Sequence, residues 1–285
     1  MPTMTIILDG DLGGMVMGEI IEFPDIKRKK EELARLKKDL EDLLLERDNL
    51  LYITCENIKT NYMLIFGSLE YKLYQAYCQY LRLGRKKDLI QAKKNRQEKV
   101  KIELIEDQLD KEFQDYKEKL DEKMDQINQA LKRSKEDYLS EKETIRIKKL
   151  YKAIVKRLHP DLNPDLTEGE RELFVHATEA YQDGDLARIE IIFSIVDSGE
   201  SKDELTSSNT DLEEEIQRME GLVKKIQGEI GSIKENPPYS WKVYLEDEEK
   251  KAEKLRELKE DLENFKTAIR TQEEYIRDLM EDKNE

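Results

Sequence analysis

Along most of this chain apolar residues recur at three- and four-residue steps, the spacing that lines one face of an α-helix. From Ile26 onward the stripe is Leu33, Leu36, Leu40, Leu43 and Leu44, then Leu50 and Leu51, with Lys, Arg and Glu between them. It predicts a coiled-coil or helix-packing seam. Residues 51 to 83 are more aromatic, with Tyr52, Tyr62, Phe66, Tyr71, Tyr74, Tyr77 and Tyr80, and are expected to pack as a small helical bundle. Between Ile105 and Leu131 the positions are Ile105, Leu109, Phe113, Tyr116, Leu120, Met124, Ile127 and Leu131, a 4-4-3 rhythm that repeats every eleven residues. Such a repeat predicts a long arm with a nearly straight or slightly right-handed seam.

Toward the C-terminus the rhythm becomes heptad. Leu212, Ile216, Met219, Val223, Ile226, Ile230 and Ile233 alternate steps of four and three, as a coiled-coil seam requires. Asn236-Pro237-Pro238 then breaks the helix, because proline lacks the N–H and its ring clashes with the preceding turn. A second seam follows at Leu255, Leu258, Leu262, Phe265, Ile269, Gln272, Ile276 and Leu279. Two heptad helices joined by a proline turn make an antiparallel hairpin or two halves of an oligomeric coil, and homo-oligomerisation through the coils stays open.

These changes of rhythm divide the chain. Residues 1–25 carry Gly10, Gly13, Gly14 and Gly18 and close with Phe23-Pro24, which reads as a poorly ordered or small β-like segment. Residues 26–139 are long helices or coiled coil, 140–196 a separate module, 197–211 a polar linker and 212–285 the C-terminal hairpin. The fold class expected is all-α and elongated.

Composition sharpens this. Of 285 residues only 38% are hydrophobic and 40% are charged, with 12 Gly and 6 Pro. That is too little apolar surface for one large core and the balance of long solvated helices. A net charge of −15 opposes nucleic acid and anionic lipid unless a local basic patch intervenes, so neither nucleic acid nor membrane is an expected partner. Cys55 and Cys78 show no CxxC spacing, and two histidines leave no material for zinc. The N-terminal glycines are not followed by Gly-Lys-Ser/Thr. No cofactor or metal is expected, no catalytic constellation stands out, and the chain is not read as an enzyme. The longest apolar run, Ile189 to Val196, is far short of the roughly 20 residues of a membrane span, which makes a soluble, cytoplasmic protein the expectation.

Residues 140–196 follow a different logic. Ser140 and Glu143 have capping-box spacing, and the helix they start runs to Leu158. Ile147, Leu150, Tyr151, Ile154, Val155 and Leu158 form its apolar stripe, with Lys148, Lys149, Lys152, Lys156 and Arg157 on the other side. From Glu141 to Leu162 seven basic and three acidic residues give a net of +4 inside an acidic chain. This is the local basic patch. The helix must stop at His159-Pro160-Asp161, since the residue before proline is pushed out of the α region. Thr167 and Glu170 repeat the capping-box spacing. The next helix buries Leu173, Phe174, Ala177, Ala180 and Tyr181, and Gly184 closes it. His176 falls on its outer side.

The stretch from Ile147 to Pro164, ending Lys-Arg-Leu-His-Pro-Asp-Leu-Asn-Pro, resembles the second helix and loop of the J-domain, the signature of DnaJ-type co-chaperones. Phe174 followed six residues later by Ala180-Tyr181 resembles the third helix of that domain. The likeness covers roughly fifty residues and is that of a bacterial J-domain-like protein with long coiled-coil flanks. It implies docking on a DnaK-type heat-shock chaperone and stimulation of its ATP hydrolysis. His159, Pro160 and Asp161 would be the tip, and Lys148, Lys149, Lys152, Lys156 and Arg157 the charged face that steers onto an acidic partner. The coiled-coil arms would then hold an unknown client or partner. The usual first helix of the domain is not visible, Leu162 stands where a lysine is common, and residues near 120–140 are expected to complete the small core. The alternative is a coiled-coil scaffold carrying an inactive J-like hairpin.

Overall fold

The computed structural model describes residues 24–135, 139–197 and 209–281. The expectation for residues 1–25, apart from the last two, and most of the polar linker lie outside the described residues.

Among the described residues the chain is all-α. Helix α1 (Pro24–Asn49) passes through a π-helical turn (Leu50–Cys55) into α2 (Glu56–Tyr62), and through a second π turn (Met63–Gly67) into α3 (Ser68–Asn95). The junction residues Asn49, Cys55, Tyr62 and Gly67 all keep right-handed helical dihedrals. Residues 24–95 are therefore one continuous rod, about 110 Å long at 1.5 Å per residue. The small bundle expected for residues 51–83 does not form. After Pro24 no proline interrupts this stretch, so its aromatic residues are spent along the length of the rod.

The arm folds back along the rod. Helices α4 (Ile102–Glu112) and α5 (Gln114–Arg133) pack on α3, and α5 continues past the second π turn to α2. Arg82 and Lys86 pair with Glu106 at 2.5 and 2.6 Å, and Arg133 reaches Asn57 at 3.2 Å. The eleven-residue rhythm describes the covered positions as far as Leu120 and again at Ile127, but not at Met124 or Leu131. Phe113 interrupts the helix, with φ −105° and ψ 13°. Beyond Leu120 Lys123, Gln126, Ile127 and Ala130 are covered, while Met124 and Leu131 are 37% and 44% exposed. Lys123, Ile127 and Ala130 keep heptad spacing. Lys123 fits because its aliphatic stem lies along the rod with the ammonium 5.5 Å from the Tyr74 ring centroid. Gly67 lets the two helices close together, since a Cβ there would lie 3.1 Å from Ile127 Cγ1.

The two C-terminal heptad helices form, but not as a hairpin. Helix α9 (Asn209–Glu235) lies along α1, and α11 (Glu248–Glu281) lies along α3. Both run parallel to the rod. Lys29 pairs with Glu213 and Glu46 with Lys234; farther along, Glu70 pairs with Lys254 and Lys87 lies over the Tyr275 ring. The Asn236-Pro237-Pro238 break sidesteps the chain instead of reversing it, through a 3₁₀ turn (Tyr239–Trp241) and the short α10 (Lys242–Glu246). Asp247 then caps α11, accepting from the N–H groups of Glu249 and Lys250. At the sidestep Trp241 stacks on Tyr62 with ring centroids 4.4 Å apart, which pins the crossing beside the second π turn. Each seam covers an apolar stripe of the rod that a hairpin would have left in water.

Helices α6 (Glu141–Leu158), α7 (Glu168–Asp183) and α8 (Leu186–Asp197) pack together and sit astride α1 and α9. The largest core cluster lies here, joining Leu40 and Leu44 of α1, Tyr151, Ile154 and Val155 of α6, Ala177, Ala180 and Tyr181 of α7, Ile189 of α8, and Met219 and Ile226 of α9. Of the described residues between 120 and 140, Leu139 joins this core, and α1 and α9 supply further cover. Among the described residues no helix is long and apolar enough to cross a membrane.

Candidate functional site

Local sequence fixes both helices of the site. Ser140 Oγ accepts from the Glu143 N–H while the Ser140 N–H donates to Glu143 Oε2, a complete capping box. Thr167 and Glu170 do the same for α7. Gly184 ends α7 in the left-handed region, with φ 69°. Between the helices His159 is extended, with φ −71° and ψ 127°, as a residue before proline must be. His-Pro-Asp thus sits at the tip of an antiparallel helix pair.

The tip is built inward. His159 is 6% exposed and lies edge-on to Phe174, centroids 5.1 Å apart. Its Nδ1 accepts from the Asp161 N–H at 3.1 Å, and its carbonyl accepts from the N–H groups of Leu162 and Asn163. Burial pushes the imidazole below its ordinary pKa, with Arg47 acting the same way and Asp161 and Asp48 opposing. Leu162 is buried in the core cluster. The Asn163 amide caps the end of α6 by donating to the Lys156 carbonyl at 3.0 Å, and Arg171 donates to the carbonyls of Pro164 and Leu166. From α9, Arg218 donates to the Asp161 carbonyl at 3.0 Å and is itself held by both carboxylate oxygens of Glu215 at 2.8 Å.

Beneath the tip lies a polar core. Tyr151 and Tyr181 stack face to face, 4.1 Å apart and 3° from parallel. The Tyr151 hydroxyl donates to Asp48 Oδ2 at 2.9 Å, and Arg47 donates to Asp48 Oδ1 through Nε and Nη2. Burial, with Asp48 close by, pushes the Tyr181 phenol up to about 12.

The eight residues singled out by sequence are brought to one region, in four different settings. His159, Pro160 and Asp161 form the tip. Lys152 pairs with Asp42 and Lys156 with Glu41, both on α1; Arg157 pairs with Asp197 and donates to the Val196 carbonyl on α8. Lys148 lines a cleft of about 510 Å³ with Arg133 and Tyr181, while Lys149 is exposed. His176 is exposed, as expected, beside Glu179 and Arg188. Sequence reasoning missed Glu41, Asp42, Asp48 and Arg218, which belong to helices far away in the chain and carry no local signal. Asn163, two residues past the tip, has the spacing of a side-chain cap and was readable.

Among the described residues no group of His, Cys, Asp or Glu is arranged to hold a metal ion. No family model, curated protein or solved structure matches this chain.

Proposed function

We propose that α6, the His159-Pro160-Asp161 loop and α7 are a J-domain-like docking module. In this reading the module engages a DnaK-type chaperone in the cytoplasm and stimulates its ATP hydrolysis without being an enzyme itself, and the coiled-coil rod serves client or partner binding. One observation carries the reading: the tripeptide lies at the tip of an antiparallel helix pair whose first helix is basic on its outer face, with Tyr181 of the second stacked on Tyr151 of the first. Cationic side chains on one helix accelerate encounter with an acidic surface, and the tip then makes the short-range contacts.

The experiment is single-turnover ATP hydrolysis by a purified DnaK-type chaperone with the full chain, His159→Gln and Asp161→Asn. The Asp161 side chain is half-exposed, and the residue's hydrogen bonds to His159 and Arg218 run through its backbone, its carboxylate acting on both by charge alone, so D161N alters the tip and keeps the loop's hydrogen bonds. Stimulation by the wild type that both variants lose is the expected outcome. A second reading, a coiled-coil scaffold carrying an inactive hairpin, is favoured by the burial of His159. It prevails if no well-folded form of the chain gives stimulation.

A further inference from the structure

The outer face of α6 is framed by carboxylates of the same chain. On one edge Asp42 and Glu41 of α1 take Lys152 and Lys156; on the other Glu190 and Asp197 of α8 take Arg146 and Arg157. At the end of the helix, Arg218 of α9 holds the Asp161 carbonyl. We infer that the docking edge and the His-Pro-Asp tip are closed in cis, with the Glu41-Asp42 step of α1 standing where an acidic partner surface would sit and Arg218 clamping the tip.

This rests on the docking reading proposed above and adds its regulation. The contacts on the α1 side differ in kind. In the Lys152–Asp42 pair both partners are exposed, and pairs of that type hold weakly; in the Lys156–Glu41 pair the lysine is exposed and the carboxylate buried. A partner surface can exchange for these carboxylates at the two exposed lysines while the apolar seam of Leu40, Leu44, Met219 and Ile226 stays packed. Their effect is on the field: two carboxylates within ion-pair distance cancel two lysine charges for any partner beyond a Debye length. Arg218 acts differently, because Glu215 fixes its guanidinium and the bond it makes is to the backbone of the tip itself. A partner must break that bond to move Asp161. Steering is thus muted by α1 and tip movement by α9, and loosening the α1–α9 coil relieves both.

The test uses the full chain carrying Glu41→Gln, Asp42→Asn and Arg218→Ala, with E41Q/D42N alone as an isosteric variant that leaves the packing in place. Stimulation of a purified DnaK-type chaperone is measured at low salt, alongside hydrogen exchange at the amides of Leu162 and Asn163. The triple variant is expected to reach half-maximal stimulation at about tenfold lower concentration than wild type, with faster exchange at both amides, and adding His159→Gln is expected to abolish the gain. Equal stimulation by wild type and both variants overturns the closure and leaves the docking reading standing. No stimulation by any of them, with the loop amides freed in the triple variant, overturns the docking reading and the closure with it.

Discussion

Asp48 is 1% exposed, and its carboxylate is the hub of the polar core under the tip, shared by Arg47 and the Tyr151 hydroxyl. A buried charge with its partners in place contributes little net stability, but removing one member strands the others. Asp48→Ala is expected to lower unfolding free energy by about 3 kcal/mol, measured by urea denaturation; a loss under about 1 kcal/mol would mean water reaches Arg47 and Tyr151 freely. His159 makes a separate prediction. Its folded pKa lies below the unfolded value of 6.5, so the unfolded chain binds the proton more readily. The contribution of the neutral ring is fully present above that value and is lost as pH falls from it toward the lowered one. Melting temperature should therefore drop more between about pH 7.5 and about pH 5.5 in wild type than in His159→Gln. Equal drops in the two proteins would show that burial of the ring does not govern its titration.

At the scale of elements, what was legible in the sequence was whatever is encoded within a few residues. Both capping boxes, the stop at His159-Pro160 and the left-handed Gly184 are local chemistry, and each sits where its residues predict. The heptad seams of α9 and α11 were equally readable, since Met219, Ile226, Leu258, Leu262, Ile269 and Ile276 are buried as their spacing requires. What those seams bury against was not readable. A heptad states that a partner exists and leaves open whether it is the next helix or one two hundred residues earlier. The far end of the arm departs from its pattern for a different reason. Lys123, its ammonium 5.5 Å from the Tyr74 ring centroid, and the small Ala130 are covered where Met124 and Leu131 are exposed. Periodicity counts hydrophobicity and is blind to both. The candidate site divides the same way: its tip and its cations were visible in one short stretch, whereas Asp48, Glu41, Asp42 and Arg218 enter only once α1 and α9 are laid against α6.

For the whole molecule the decisive feature is that the second strand of the coil runs parallel to the rod. Cysteines placed at Glu46 and Lys234, whose side chains pair at 2.8 Å, are expected to be joined within one chain by a short bifunctional maleimide. In a C-terminal hairpin the second position would face α11 instead, and failure to cross-link would restore that arrangement. The two π turns give this architecture a further property. A π turn carries one more residue than the α turn it replaces, and each residue advances a helix by about 100°. Leu64, inside the second π turn, is exposed while Tyr62 and Phe66 on either side of it are buried. The rod is therefore a shaft with a change of phase at its middle: α1 aims its stripe at α9 and α6, and α3 aims its own at α11 and α5. The two halves are joined covalently by an unbroken helix yet are indexed independently, so an insertion or deletion of one residue at the joint rekeys one half against the other without altering either.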